Sequence, residues 1–353
     1  MKTLKRIILF IIIISTALNL MINVKFNAFA NPTFNLNTTS VINAAVLFSN
    51  SDDLFLLQLK QSLEDIQEEH KDIQFTFYYG KDNISLQYET LDSILKSNID
   101  LIIASLADTS EDVIENVIFM VKQKNVPIIL AGISPEAASR ISNYYNKIAF
   151  ISSDYKQQGI SQGKMLVDLW NNNKNALDKN NDNILQYILL QGKKANPAAI
   201  NRTIYAISTI NDSGIKTQQL ALVNGNWLRE LAKESMDSLF LKYDGKIEAI
   251  VANNDAMAIG AIEALQKYNY NKGDKSKTIA VVGVDGLLEA KDLIDKGFMT
   301  GTIVLDPKIE AELIYNIAMN LIHNLNPIEN TNYKIVNGEI IIPYPDDKYI
   351  KKW

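Results

Sequence analysis

Short apolar runs of strand length alternate with longer segments of helical periodicity along most of the chain. The runs are nearly continuous in Val, Ile, Leu and Ala, which is typical of strands buried on both faces of a parallel sheet. The predicted strands are 44–49, 74–79, 101–105, 126–131, 148–152, 184–190, 216–222, 249–252, 279–283, 301–305 and 339–342. The predicted helices are 53–70, 86–97, 110–124, 135–145, 155–172, 196–211, 228–242, 255–268, 287–296 and 307–325.

The order of these segments predicts the fold class. Strands that alternate with helices form a parallel sheet covered by helices on both faces. The series runs once up to residue 152 and begins again at residue 155. We therefore predict an α/β protein with two doubly wound parallel-sheet lobes around a cleft. Ligands of such sheets bind beyond the carboxyl ends of the strands, so the polar residues at those ends are the candidates for function.

The N-terminal residues have the pattern of a secretion signal. Three basic residues precede the apolar segment 7–20, and the small residues of Ala-Phe-Ala at 28–30 suit a cleavage site. We predict a signal peptide at 1–30 and an exported protein, periplasmic or associated with the cell surface. The alternative is a retained membrane anchor, but the apolar segment is short against the about 20 residues that a stable span needs.

Charge and cysteine content narrow the range of partners. The chain has 353 residues, a formal net charge of -5 and no cysteine. Loss of residues 1–30 removes four basic residues and no acid, which leaves a charge of -9. An acidic protein is a poor match for nucleic acid. The absence of cysteine excludes disulfides, thiolate metal sites and a lipid-attachment cysteine.

A set of carboxylates, amides, arginine and aromatic residues lies close after the predicted strands. The set consists of Asp53, Phe55, Arg202, Trp227, Asn254 and Asp285. The polar groups offer planar, bidentate hydrogen bonding, and the rings offer flat apolar faces. Together they suit a neutral polyhydroxylated ring. The alternative for each Asp and Asn is that it caps the helix that follows.

Catalytic groups are scarce. The chain has two histidines, His70 and His323, and both lie at predicted helix ends without a neighbour that would orient them as bases. It has no Gly-rich phosphate loop and no Gly-x-Ser-x-Gly motif. The sequence therefore argues against an enzyme.

The segment 178–186 carries oxygen atoms at the spacing of an EF-hand calcium loop, positions 1, 3, 5, 7 and 9. These residues are Asp178, Asn180, Asp182, Ile184 through its carbonyl, and Gln186. Position 12 is Leu189 instead of the bidentate glutamate, so the site needs one more carboxylate from elsewhere in the chain.

Several motifs resemble the galactose/glucose-binding protein family of bacterial sugar ABC transporters. They are the segment 250–265, the segment 211–217, Gly283-Val284-Asp285-Gly286, and the calcium loop with its following strand. The similarity runs from about residue 44 to about residue 344. It implies a type I periplasmic-binding-protein fold, with lobes at 43–151 plus 306–341 and at 152–305 plus 342–353, joined by a three-segment hinge.

The resemblance also implies the ligands. The six strand-end residues match positions that contact a galactose-like monosaccharide, with Phe55 and Trp227 on its two faces. Four other pocket positions depart from the family, which has Asn, His, Asp and Asn there. In this chain they are Gly132, Asn196, Ala198 and Leu305. Each lost hydrogen bond removes about 0.5–1.5 kcal/mol, so we expect altered or weaker sugar recognition.

For the metal loop, the resemblance implies a structural calcium ion and names Glu248 as the missing carboxylate. The sixth position of the loop is Asn183 where the family has glycine. Asparagine tolerates the left-handed conformation needed there.

The expected function is an extracytoplasmic solute-binding protein that captures a sugar by hinge closure and delivers it to a membrane ABC permease. A second interpretation is a sensor subunit that presents the sugar to a chemoreceptor or a membrane histidine kinase. A third is the ligand-binding core of a sugar-responsive repressor, against which the export signal and the lack of a helix-turn-helix both count.

Overall fold

The computed structural model describes residues 41–243 and 245–350. The predicted signal peptide at 1–30 lies outside the described residues. Within the described ranges, no helix is both long enough and apolar enough to span a bilayer.

The described residues form thirteen strands and ten α-helices. The strands are β1 Ile42–Phe48, β2 Ile73–Tyr79, β3 Leu101–Ser105, β4 Ile128–Ala131, β5 Ile148–Ser152, β6 Ile184–Gln191, β7 Lys216–Asn224, β8 Ala249–Ala252, β9 Ala280–Asp285, β10 Gly301–Val304, β11 Ile335–Val336, β12 Glu339–Ile341 and β13 Lys348–Ile350. The helices are α1 Leu54–His70, α2 Ile84–Ile94, α3 Glu111–Gln123, α4 Pro135–Ile141, α5 Tyr155–Asn172, α6 Pro197–Asp212, α7 Arg229–Lys242, α8 Asp255–Lys267, α9 Leu288–Asp295 and α10 Pro307–Ile322.

The strands form two separate sheets. A seven-stranded sheet has the order β11-β12-β5-β4-β3-β1-β2, and a six-stranded sheet has the order β13-β10-β9-β8-β6-β7. Every pairing is parallel except those of β11 with β12 and of β13 with β10. The predicted fold class, two parallel-sheet α/β lobes, is confirmed. We call the lobe around the seven-stranded sheet lobe 1 and the other lobe 2.

The chain passes between the two sheets three times. It leaves lobe 1 after β5, returns between β10 and α10, and leaves again after β12. Helix α10 belongs with lobe 1 because its apolar side chains pack into the same core as β1. The residue bounds of the lobes, as given above, stay a prediction.

Strand β1 illustrates why the core strands read as continuous apolar runs. Ala45 and Leu47 pack into the core on one face of the sheet, and Ala44 and Val46 pack into the core on the other. Successive side chains of a strand point to opposite faces, so a sheet covered on both faces needs apolar residues at every position.

Helices α5 and α6 pack unusually closely, because α5 presents glycines to its partner. A Cβ atom on Gly159 would lie 2.8 Å from the carbonyl oxygen of Arg202, and one on Gly163 would lie 2.5 Å from that of Ala206. Both obstacles are backbone atoms of α6, which cannot move aside alone. The contact therefore fixes the position of α6, and Arg202 with it.

We expect Gly163→Ala to lower the free energy of unfolding by about 1–3 kcal/mol, because the added methyl group overpacks the contact between the two helices. Urea denaturation of the purified protein measures this. Lys164→Ala is the matched control, since Lys164 is exposed on the same helix. Equal stability of Gly163→Ala and the wild type would show that the two helices are free to separate.

Candidate ligand-binding site

A cavity of about 170 Å³ lies between the two lobes. All six residues predicted from the strand ends line it: Asp53 and Phe55 from lobe 1, and Arg202, Trp227, Asn254 and Asp285 from lobe 2. The volume is below the range of about 300–1,000 Å³ that is usual for drug-sized ligands. The cavity therefore suits one small ring.

Asp53 follows β1 and caps helix α1. Its Oδ1 accepts hydrogen bonds from the backbone N–H groups of Phe55, at 2.9 Å, and Leu56, at 3.2 Å. None of the described residues donates to Oδ2, which stays available to a ligand. Burial raises the pKa of Asp53, against the two backbone hydrogen bonds and the charges of Arg202 and Lys193. The helix-cap interpretation and the ligand interpretation thus apply to different oxygens of the same carboxylate.

Arg202 lies on α6 with only 6% of its surface exposed. Its Nε donates to Gln158 Oε1 at 2.8 Å, and its Nη1 donates to the carbonyl of Asn253 at 2.7 Å. The centres of the Tyr155 and Trp227 rings lie 5.9 and 5.7 Å from its Cζ, within reach of cation–π attraction. These contacts fix the guanidinium group and leave Nη2 without a partner among the described residues.

Trp227 is held in a strained loop. Its φ angle is +70° and that of the preceding Asn226 is +50°, a region that bulky residues rarely adopt. Asn254 Nδ2 donates to the Trp227 carbonyl at 3.1 Å. The indole lies against Gly192, where an added Cβ would come within 2.2 Å of the ring. Strain of this kind persists where the surroundings determine the conformation, and it concentrates at functional sites.

Asn254 has a mainly structural part in this arrangement. Its Oδ1 accepts from the backbone N–H of Met257 at 3.0 Å and so caps helix α8. Its Nδ2 holds the Trp227 loop, as described above. One N–H of the amide remains for a ligand. The helix-cap alternative raised from the sequence therefore accounts for much of this residue.

Asp285 ends strand β9 with a φ of +126° and 4% of its surface exposed. Its Oδ1 lies 4.0 Å from Arg202 Nη1. Burial raises its pKa well above the usual range, against the charge of Arg202, and the charges of Asp255 and Asp53 add to the rise. The strained backbone directs a buried acid towards the cavity beside the arginine.

Asp255 holds the backbone of the turn that follows Asp285. Its Oδ2 accepts from the backbone N–H groups of Gly286, at 2.8 Å, and Leu287, at 2.9 Å. Its Oδ1 accepts from the Thr302 hydroxyl at 2.6 Å. Burial raises the pKa of Asp255 to about 7, against these hydrogen bonds. The residue does not line the cavity, and it fixes the turn that follows Asp285.

Several lining residues were missed by sequence reasoning. They include Tyr155, Lys193, Glu310 and Tyr344. Tyr155 follows β5, so the strand-end argument would have found it. Glu310 lies in the first turn of α10 and Tyr344 in the segment after β12, where no strand-end signal points to the cleft. The four departures from the family, Gly132, Asn196, Ala198 and Leu305, also line the cavity.

The predicted metal loop brings two buried acids near each other. Glu248 Oε1 accepts from the backbone N–H of Lys179 at 2.8 Å, and Oε2 accepts from that of Gln186 at 3.0 Å. Glu248 is 2% exposed and Asp178 is 3% exposed. Burial raises the pKa of Glu248, and the charge of Asp178 contributes to the rise. Lys174 Nζ lies 3.3 Å from Asp178 Oδ2 and offsets part of this repulsion, and a bound cation would offset more of it.

The other predicted ligands bond to one another. Gln186 Nε2 donates to Asp182 Oδ2 at 2.7 Å, and Asn180 Nδ2 donates to the same oxygen at 3.0 Å. Asn183 has a φ of +65°, the left-handed conformation expected for the sixth position of the loop. Among the described residues, no group of three or more His, Cys, Asp or Glu side chains is arranged to hold a metal ion. The oxygen chemistry fits calcium, and the side chains would have to turn towards it.

Two α/β lobes that enclose a small cavity between hydrogen-bonding groups and rings are typical of proteins that bind a solute by hinge closure. A family model of the periplasmic binding protein domain matches residues 44–325. The chain belongs to the periplasmic binding protein family, whose members are solute-binding proteins and not enzymes. The resemblance to sugar-binding proteins of ABC transporters is confirmed at this level.

Individual relatives agree with this assignment. The chain is 29% identical over 294 residues to the D-galactose/methyl-galactoside binding periplasmic protein MglB of Haemophilus influenzae, covering 83% of this chain and 85% of that protein. It is similar to a galactofuranose binding protein, with a TM-score of 0.72, 17% identity and coverage of 88% and 94%. It is also similar to a solute binding protein of Bacillus halodurans with bound myo-inositol, with a TM-score of 0.66, 23% identity and coverage of 81% and 90%.

The contact between Gly192 and Trp227 generates a prediction for the site. We expect Gly192→Ala to lower the free energy of unfolding by about 1–3 kcal/mol, because the new Cβ overlaps the indole. In a Trp227→Phe background the cost of Gly192→Ala should fall, since phenylalanine lacks the overlapping ring. A double-mutant cycle with denaturant unfolding measures the difference, which we expect to reach about 1 kcal/mol. A coupling free energy of zero between the two substitutions would mean that the indole does not contact Gly192.

Proposed function

We propose that the protein is an exported solute-binding protein that captures a galactose-like monosaccharide in the interlobe cavity and delivers it to a membrane ABC permease. One observation carries this proposal: a cavity sized for one small ring combines an aromatic residue from each lobe with fixed acids and an arginine. Rings suit the C–H faces of a pyranose, and carboxylates with an arginine suit its hydroxyl edge.

The binding step follows from the distribution of these groups. Asp53 and Phe55 belong to lobe 1, and Arg202, Trp227 and Asp285 belong to lobe 2, so the ligand gains its full set of contacts only when the lobes close. A ligand shifts the equilibrium between the open and the closed form only by the difference between its affinities for these two forms. The closed form would then be the one that the permease recognises.

The identity of the sugar is a separate part of the proposal. The Haemophilus relative is named for galactose and methyl-galactoside, and the Bacillus neighbour holds myo-inositol. In this chain Gly132, Ala198 and Leu305 contribute no polar side chain to the cavity wall. We therefore expect galactose to bind with fewer hydrogen bonds than in the family pattern, and related rings to compete with it.

The test is a thermal-shift screen of the protein against monosaccharides, followed by calorimetric titration of those that stabilise it. We expect at least one neutral hexose to raise the melting temperature, and Trp227→Ala to weaken its binding by about tenfold or more, or about 1.4 kcal/mol. Phe119→Ala is the matched control, because Phe119 is an exposed aromatic residue on α3 that does not line the cavity. Binding of a different solute class and of no sugar would refute the proposal.

We also propose a structural calcium ion in the loop after α5. Its ligands would be Asp178, Asn180, Asp182, Gln186, the carbonyl of Ile184, and Glu248. The support is the all-oxygen donor set and the burial of two carboxylates, Glu248 and Asp178, of which Asp178 pairs with Lys174 at 3.3 Å. The ion would stabilise the loop and the start of β6, and it would take no part in contacting the sugar.

Calorimetric titration with calcium tests this site. We expect Glu248→Gln to weaken calcium binding by about tenfold or more, since it removes one charge and one oxygen ligand from the set. Glu69→Gln, an exposed acid at the end of α1, serves as the control. Unchanged calcium affinity in Glu248→Gln would remove that residue from the site, and no binding by the wild type would remove the ion.

A further inference from the structure

Glu310 is a buried acid in the cavity with an unused oxygen. The residue lies in the first turn of α10, is 7% exposed and lines the cavity. Its Oε2 accepts a hydrogen bond from the Tyr344 hydroxyl at 2.7 Å. None of the described residues donates to Oε1. Because Glu310 lines the cavity, this free oxygen is the one that a ligand can engage.

Charge balance separates Glu310 from the other acids of the cavity. The charge of Arg202 acts on both Asp53 and Asp285 and opposes the rise that burial causes in the pKa of each. Glu310 forms no ion pair with a described residue, and burial raises its pKa to about 7, opposed only by the hydrogen bond from Tyr344. The remaining cation of the wall, Lys193, pairs with Asp82 instead.

A ligand that closes the cavity removes water from this carboxylate. Burying an ionised acid without a compensating partner is costly, and a neutral ring with C–H groups at Oε1 leaves that cost uncompensated, so that the acid takes up a proton. A ligand cation would offset it through a charge-assisted hydrogen bond. The rings of Tyr155 and Tyr344 also line this part of the cavity, and aromatic faces attract cations.

From this arrangement we infer that Glu310 is a specificity-determining residue, and that the preferred ligand is a monosaccharide or cyclic polyol carrying a basic amino group, whose ammonium pairs with Oε1. This inference rests on the proposed function, since it concerns the same cavity. It assigns the hydroxyl edge of the ligand to Asp53, Arg202 and Asp285, and the amino group to Glu310.

The experiment compares neutral and amino forms of the same ring by calorimetric titration near neutral pH. The probes are galactose and glucose, their 2-amino-2-deoxy and N-acetylated forms, and inositol with its mono-amino derivative. We expect at least one amine to bind about tenfold tighter than its neutral parent, a difference that one charge-assisted hydrogen bond supplies. The N-acetylated forms, which keep an N–H but lose the charge, should lack this advantage.

Two variants locate the effect. Glu310→Gln should abolish the preference for the amine, since it removes the charge and keeps the shape and the acceptor for Tyr344. Tyr344→Phe should retain the preference, because the carboxylate remains. The comparison of each amine with its neutral parent on the wild type tests the inference even if Glu310→Gln folds poorly. Glu312→Gln, an exposed acid on the same helix, is the control.

The outcomes distinguish this inference from the proposed function. Binding of neutral sugars with no advantage for any amine would overturn the inference and leave the proposed function standing. A preference for the amine that survives in Glu310→Gln would assign recognition to another acid and also overturn it. No binding of any sugar, neutral or amino, would overturn both.

Discussion

The buried guanidinium of Arg202 is the interaction on which the rest of the cavity depends. Two acids, Asp53 and Asp285, face the same small space, and burial disfavours the ionised form of each. The arginine offsets part of that cost without a direct ion pair at hydrogen-bond distance. It can do so because Gln158 and the Asn253 carbonyl hold it in place. The close contact of α5 with α6 then becomes a functional requirement, since it sets where the α6 backbone carries this side chain.

Two residues that line the cavity beside Arg202 have a strained backbone. Trp227 has a φ of +70°, which bulky residues rarely adopt, and Asp285 has a φ of +126°, outside the left-handed helical region that Asp tolerates. Each is stabilised by a neighbour that does not need to touch the ligand: Asn254 holds the Trp227 carbonyl, and Asp255 holds the turn after Asp285. Residues whose backbone conformation is unfavourable, and is stabilised by hydrogen bonds from neighbouring residues, are expected at functional sites. The strain therefore supports the assignment of these two residues independently of the family resemblance.

Most of the framework was predictable from the sequence, because parallel strands covered on both faces leave a clear apolar signal. The six lining residues were also predictable, since their position close after the strands depends only on topology. The edge strands β11 and β13 were missed, because two or three residues carry no detectable periodicity. Glu310 and Tyr344 were missed for a different reason: Glu310 lies in the first turn of α10 and Tyr344 in the segment after β12, where no strand-end signal points to the cleft. How the side chains of the calcium loop bond to one another also lies beyond what spacing alone reveals.

An ion pair connects the two lobes beside the cavity, but it is too weak to account for the free energy of closure. Lys193 of lobe 2 pairs with Asp82 of lobe 1, and their side chains keep 22% and 28% of their surface exposed. Partly exposed pairs of this kind contribute about 0–1 kcal/mol, so this one cannot keep the lobes closed by itself. The groups that the two lobes bring together are those that line the cavity. Lobe 1 contributes Phe55, Asp53 and Glu310 to the cavity, and lobe 2 contributes Trp227, Arg202 and Asp285. In the proposed function, closure depends on whether a ligand satisfies both sets at once. Glu310, an acid without a cation beside it on lobe 1, would make the charge of the ligand part of that condition.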